Sequence, residues 1–167
     1  MTFVFYDTET TGTDIWFDQI LQFGAIRTDD DLNEVDRFEI RCRLLPHVTP
    51  SPKALEVTGV NPLSLLSTEL PSHYEAISEV HARLSDWSPS IFVGYNSIRF
   101  DESLLRQAFF QTLHPIYLTN TGGNTRADVL RMAYAVGAFA PNVMVQGGGA
   151  SVVITPRPWS RIVIGYL

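Results

Sequence analysis

Two carboxylates follow a short apolar stretch near the start of the chain. The stretch 3–7 ends in Asp7, and Glu9 comes two residues later. It is predicted to be a buried strand, and because side chains at i and i+2 share one face of a strand, the two carboxylates point the same way. Adjacent carboxylates repel unless they share a proton or a cation, and hard oxygen ligands suit Mg²⁺ or Mn²⁺. A bare Asp-x-Glu pair is more often ordinary surface polarity, but Gly12, which lets the backbone approach a ligand closely, favours metal-assisted chemistry.

A third carboxylate, Asp101, lies at the predicted start of a helix. The segment 91–95 is predicted to be a buried strand, and a helix over 101–113 follows it. A helix N-terminus stabilises a carboxylate, so Asp101 alone is explained by capping. Beside Asp7 and Glu9 it becomes a third oxygen ligand, and such a set holds two divalent ions roughly 3.5–4 Å apart for phosphodiester cleavage. The three carboxylates therefore suggest a metal-dependent nuclease.

The elements around these residues predict an α/β domain with a mixed sheet. Besides 3–7 and 91–95, strands are predicted over 19–28 and 35–44, and helices from Ser51 to Gly59, from Ser72 to Asp86, over 101–113 and over 128–139. The helix from Ser72 to Asp86 carries an apolar stripe formed by Tyr74, Ile77, Val80, His81, Leu84 and Trp87. Because His81 lies on this stripe, a packed core histidine is expected there rather than a ligand. A hairpin of 152–154 with 162–164 is a further interpretation.

Composition narrows the functional class. The 167 residues fit one domain, and 45% hydrophobic content is typical of a globular protein. A net charge of −6 argues against binding nucleic acid by bulk attraction, so a polyanionic substrate needs metal ions or a local Arg cluster. The single cysteine, Cys42, excludes an internal disulfide and a Cys-based zinc site. With no signal peptide and no apolar run near 18 residues, we expect a cytoplasmic protein without a membrane segment.

Several segments together resemble the start of the bacterial exodeoxyribonuclease I family. They are residues 5–12, 16–24, 41–46, 57–60 and 94–101, and the resemblance runs from about residue 3 to about Val143. That family belongs to the DEDD superfamily of 3′–5′ exonucleases, with an RNase H-like sheet. The resemblance implies removal of nucleotides from the 3′ end of single-stranded DNA, with Mg²⁺ as the cofactor.

The resemblance also implies roles for individual residues. Asp7 and Glu9 match the metal ligands of the first motif, and Asp101 matches the aspartate of the second. The positions expected to bind the substrate are Thr10, Gly12, Thr58, Gly59, Asn96, Arg99 and Phe100. Gly59 is also explained as a helix C-cap.

The chain departs from the family pattern after about residue 143. The family's third motif is a His followed five residues later by an Asp, but this chain has no His after His114 and no Asp after Asp128. We interpret Asp128 as a helix cap. The expectation is an exonuclease domain over 1–143 with its C-terminal part incomplete, an atypical tail over 144–167 from truncation or a frameshift, and impaired activity.

Two other functions stay open at this point. One is a non-catalytic module whose groove binds nucleic acid or a protein, although the net charge counts against strong unaided binding of nucleic acid. The other is a different DEDD enzyme, such as an RNA-trimming or proofreading exonuclease, which the details of 16–24 and 99–101 disfavour. The expected partner is single-stranded DNA and the expected state is a monomer. Contact with a single-strand-binding protein is left open.

Overall fold

A five-stranded mixed sheet organises the chain. The computed structural model describes residues 2–139 and three further segments at 144–147, 152–155 and 162–164. The strands of the sheet are β1 (Phe3–Thr10), β2 (Ile20–Thr28), β3 (Glu34–Arg41), β4 (Ile91–Gly94) and β5 (Thr125–Asp128). Their order is β3-β2-β1-β4-β5. Strand β2 is antiparallel to β1 and β3, whereas β4 is parallel to β1 and β5, so the predicted mixed sheet is confirmed.

The helices lie where their sequence caps place them. They are α1 (Pro52–Thr58), α2 (His73–Asp86), α3 (Asp101–Gln111) and α4 (Val129–Phe139), with a 3₁₀ helix at Ser64–Leu66. The Ser51 side chain accepts the Ala54 N–H at the start of α1, and Gly59 ends that helix with φ 65°. Helix α2 begins with a capping box of Ser72 and Glu75. Both starts and both ends agree with the predictions.

The core lies between one face of the sheet and helices α2 and α3. Burial alternates along β1, so that Val4 and Tyr6 point into the core while Asp7 and Glu9 point to the other face. The other core residues include Phe23, Ala25, Ile77, Val80, Leu84, Phe92, Leu105 and Phe109. Each large apolar side chain buried in this way contributes about 1.5–3 kcal/mol.

The predicted inward stripe of α2 is correct except for Tyr74. Its side chain is 59% exposed, and its ring stacks at the surface on His114, with 6.2 Å between centroids. His81 is a packed histidine, as predicted. Its ring lies edge-on to Phe109 at 5.1 Å and parallel to His114 at 4.8 Å.

Two strands, β5 and β6 (Met144–Gly147), were not predicted from the sequence. Strand β5 has no apolar alternation, and it is held by its parallel pairing with β4. In the second part of the described chain, β6 (Met144–Gly147), β7 (Val152–Thr155) and β8 (Ile162–Ile164) form a three-stranded antiparallel sheet. Its β7–β8 pairing confirms the proposed hairpin. Strand β6 was not predicted, because a run of glycines begins at its last residue, Gly147. A domain boundary at residue 143 stays a prediction.

Candidate active site at the carboxyl edge of the sheet

The parallel strands β1, β4 and β5 end at one edge of the sheet, and the residues of chemical interest collect there. Asp7 and Glu9 lie near the end of β1, Asp101 begins the helix that follows β4, and Asp128 ends β5. Carboxyl ends of neighbouring parallel strands meet at the same edge, which is the usual place for a site in an α/β sheet.

Asp7 and Glu9 are half-buried on the sheet face that turns away from the core. Burial raises the pKa of Asp7, against a hydrogen bond from the backbone of Thr8. Burial also raises the pKa of Glu9, with repulsion from Asp7 adding to it and the nearby Arg41 opposing it. Both carboxylates are therefore less stable as bare anions than in water, and a bound cation would relieve that cost.

The pair faces an open cleft. Its lining includes Gln22, Gly24, Arg37 and Glu39 from the neighbouring strands β2 and β3. Because acidic side chains outnumber the single arginine in this lining, the cleft suits a cation better than a free anion.

Asp101 is bonded to Thr8, the residue between Asp7 and Glu9 in the sequence. Its side chain is 3% exposed, and the Thr8 hydroxyl donates a 2.6 Å hydrogen bond to its Oδ1. Burial raises the pKa of Asp101 to about 7; the bond from Thr8 lowers it and repulsion from Asp7 raises it. The charge of Asp7 thus acts on Asp101, although the Thr8 side chain that bonds Asp101 points to the face of β1 opposite Asp7 and Glu9.

The carboxylates do not form a ready-made metal cage. Within the described ranges, no three Asp, Glu, His or Cys side chains are arranged so that they could hold a metal ion. The donor chemistry fits a hard divalent cation, since the groups are oxygen donors whose raised pKa values reflect burial of charge. A metal site formed by Asp7, Glu9 and Asp101 stays a prediction.

The turn after β1 explains Gly12. A Cβ atom at this position would collide with the carboxylate of Asp18, which lies against the glycine. The Thr10 hydroxyl donates to the Gly12 carbonyl at 2.7 Å, so both residues take part in the local turn. The structure therefore supplies a packing reason for Gly12 in addition to the expected contact with substrate.

The segment between β4 and α3 is held by Asp128. Its carboxylate accepts the N–H of Asn96 at 2.9 Å, of Ile98 at 3.3 Å and of Leu130 at 3.0 Å. The last bond confirms Asp128 as the cap of α4, and the first two fix the approach to Asp101. Asn96 adopts φ 55° in this turn, a conformation that asparagine tolerates better than most residues.

The other predicted substrate contacts lie at two places. Arg99 is exposed in the same segment, while Phe100 is half-buried and packs against the core. Thr58 ends α1, and Gly59 donates its N–H to the Leu55 carbonyl, which confirms the C-cap. Their contact with a nucleotide stays a prediction.

Sequence reasoning missed Glu102, a buried carboxylate beside Asp101. It accepts hydrogen bonds from the Tyr6 hydroxyl at 2.9 Å and the Thr119 hydroxyl at 2.8 Å, and it pairs with Arg126 at 3.2 Å. Glu102 therefore ties the start of α3 to β1 and β5. The only signal in the sequence was its place next to Asp101, which is too common to single it out.

Comparison with known proteins identifies the family of this chain. Residues 4–142 match the Exonuclease (RNase_T) family. The chain belongs to this family. It is 32% identical over 143 residues to exodeoxyribonuclease I of Escherichia coli, a match that covers 84% of this chain and 30% of the relative.

Solved structures agree with the family. Exonuclease I of E. coli in complex with a dT13 oligonucleotide superposes with a TM-score of 0.79 at 28% identity, over 89% of this chain and 33% of that one. A zinc-bound form of its complex with single-stranded DNA also gives 0.79 at 28% identity, over 87% and 31%. The predicted RNase H-like exonuclease fold is confirmed.

The matched relative is much longer than this chain. This exonuclease-family chain spans about 30% of the length of the curated relative it matches. In the part of the chain that the structure describes, no helix has the length and apolar character needed to cross a bilayer.

Proposed function

We propose that this chain is the nuclease domain of a 3′–5′ exonuclease that hydrolyses single-stranded DNA with Mg²⁺ or Mn²⁺ held by Asp7, Glu9 and Asp101. The observation that carries the proposal is the buried Asp101 carboxylate, bonded to Thr8 between the two carboxylates of β1. Family membership over 4–142 supports the reaction class. The oligonucleotide complex of E. coli exonuclease I supports the substrate.

The three carboxylates would contribute to cation binding in different ways. When bound, a divalent ion would activate a water molecule and stabilise the leaving oxygen of the phosphodiester. Asp7 and Glu9 would meet it from the cleft. Asp101 would have to give up its proton first, because its pKa of about 7 leaves it partly protonated at neutral pH. Thr8 would position the Asp101 carboxylate through its hydroxyl.

The substrate end is proposed to lie between the turn after β1 and the segment before α3. Arg99 is exposed there and is a natural phosphate ligand, since its guanidinium forms paired hydrogen bonds with phosphate oxygens. Thr10, Gly12, Asn96 and Phe100 would line the terminal nucleotide, with Thr58 and Gly59 beyond them.

A polypeptide of these 167 residues is proposed to be a slow enzyme. The stacked pair of His81 and His114 packs on Ser78 of α2 and on Phe109 in the last turn of α3, at the opposite end of α3 from Asp101. An 11-residue helix is about 16 Å long, so these imidazoles are remote from the carboxylates. The third-motif His that the family resemblance implies as general base has no counterpart after His114, and loss of a general base typically costs about 10²–10⁴-fold in rate.

Release of nucleotides from a 3′-labelled single-stranded DNA tests the proposal. The chain should release label with Mn²⁺ or Mg²⁺ and none with a chelator. Asp7→Asn should reduce the rate by about 100-fold or more, since even a partner of a metal ligand is worth 10–100-fold. Asp86→Asn is the matched control, because this exposed aspartate is the last residue of α2, which leads to the start of β4 at the opposite edge of the sheet. Equal rates for Asp7→Asn and the unmodified chain would contradict the proposal.

A further inference from the structure

The loop between β1 and β2 carries two adjacent aromatic side chains that are exposed to solvent. Trp16 and Phe17 are 69% and 79% exposed. The Thr11 N–H donates to the Gln19 carbonyl at 2.9 Å, which extends the pairing of β1 with β2 to the base of the loop. The loop therefore stands at the same end of β1 as Glu9 and the candidate active site.

The backbone beneath the two rings is fixed by carboxylates. Asp14 Oδ1 accepts the N–H of Trp16 at 2.8 Å and of Phe17 at 3.3 Å. Asp18 Oδ2 accepts the Asp14 N–H at 2.7 Å, and its Oδ1 accepts the Thr11 hydroxyl at 2.7 Å. Because the loop is ordered before any ligand arrives, a ligand that contacts the rings pays little entropy to organise it.

The charges of the loop indicate what kind of group the rings would meet. Residues 12–19 contain Asp14 and Asp18 but no Lys or Arg, so a phosphate finds no cation there. A neutral planar group faces no such obstacle, and every nucleobase stacks on an aromatic ring whatever its identity.

We propose that Trp16 and Phe17 form a stacking platform for an unpaired base of single-stranded DNA beside the candidate active site. The inference rests on the proposed function, which brings the 3′ end of the strand to Asp7 and Glu9. The phosphates of the strand would lie outside the loop, and the platform would hold a base without regard to its sequence.

Binding measured without cleavage tests the platform. The full chain, in chelator and in enough monovalent salt to screen its surface charge, is titrated into a fluorescent oligothymidylate and into an abasic strand of equal length with the same phosphates. The unmodified chain should prefer the strand with bases. Trp16→Ala with Phe17→Ala should weaken binding of that strand by about fivefold or more, the minimum for one stacked base, and should hardly affect the abasic strand. Trp16→Phe with Phe17→Tyr keeps both rings and should restore binding.

Phe110→Ala is the matched control, since this phenylalanine is 65% exposed near the far end of α3. Equal binding of the strand with bases by the unmodified chain and the double alanine variant would overturn the platform while leaving the nuclease proposal standing, provided that the unmodified chain still releases nucleotides. An unmodified chain that neither binds nor cleaves DNA would overturn both. Unchanged DNA binding with a changed oligomeric state in the alanine variant would assign the loop to a protein contact and overturn the platform.

Discussion

The carboxyl group of Asp101 is buried at the start of α3, and its pKa is raised to about 7 from an ordinary value of 3.8. Between these two pH values the folded chain holds a proton that the unfolded chain has lost. Its free energy of unfolding must therefore fall as the pH rises through this range when no cation is present. A cation bound at the proposed metal site would offset this cost.

Asp101→Asn should remove that cost, because the amide oxygen still accepts the Thr8 hydroxyl but carries no charge. At pH 8 without divalent ions, we expect the variant to unfold with about 1–3 kcal/mol more free energy than the unmodified chain, and at pH 4 with about the same. Denaturant unfolding at the two pH values measures this. The same pH slope in both proteins would show that another group is responsible.

The Thr8 hydroxyl should set the pH above which Asp101 binds a cation. Thr8→Val keeps the shape of the side chain but removes the donor, so the pKa of Asp101 should rise further, since the Thr8 bond lowers it. Mn²⁺ binding should then require a higher pH than in the unmodified chain. Titrations across pH 6 to 9 would reveal the shift, and Thr125→Val, at an exposed position of β5, is the control.

At the residue scale, the sequence indicated the acidic residues but not their contacts. Asp7 and Glu9 were predicted to share a face because strand geometry requires it, and the burial pattern of β1 agrees. The bond from Thr8 to Asp101 joins residues 93 positions apart. No local pattern predicts such a contact, because it depends on how β4 and α3 pack beside β1.

At the scale of elements, Glu102 links three parts of the fold. Its carboxylate joins α3 to Tyr6 of β1 and Arg126 of β5. Glu102→Ala would leave the arginine and the tyrosine hydroxyl without their buried partner, and loss of one member of a buried ion pair costs about 3–5 kcal/mol. Thermal or denaturant unfolding measures this, with Glu79→Ala on the exposed face of α2 as the control. A loss no larger than in the control would show that the network contributes little.

The elements that sequence reasoning found are those with local signals. Helix α2 carries its own capping box, α1 has Ser51 and Gly59 at its ends, and β1 alternates buried and half-buried residues. Strand β5 lacks such a signal, since its sequence Thr-Arg-Ala-Asp is polar and its conformation depends on pairing with β4. Tyr74 was misplaced because His73, one position earlier, takes the buried face of the first turn of α2, and helical spacing alone does not show which of the two points inward.

At the scale of the whole molecule, the net negative charge opposes the binding of DNA. The chain carries a net charge of −6, and its candidate cleft is lined partly by carboxylates. A polyanion such as DNA is repelled by this surface unless cations intervene. A divalent ion at the proposed site would therefore have two effects: it would supply the chemistry, and it would neutralise the site that a DNA strand has to approach.

Calorimetric titration with Mn²⁺ is the decisive test of the proposed metal site, because it depends on neither DNA nor turnover. The unmodified chain and Asp86→Asn should give the same weak binding isotherm near pH 8. Asp7→Asn should give none, since loss of one hard ligand leaves too few protein oxygens to replace the water around the ion. Binding by Asp7→Asn equal to that of the unmodified chain would show that the ion lies elsewhere, and would contradict the assignment of Asp7, Glu9 and Asp101 as the metal site.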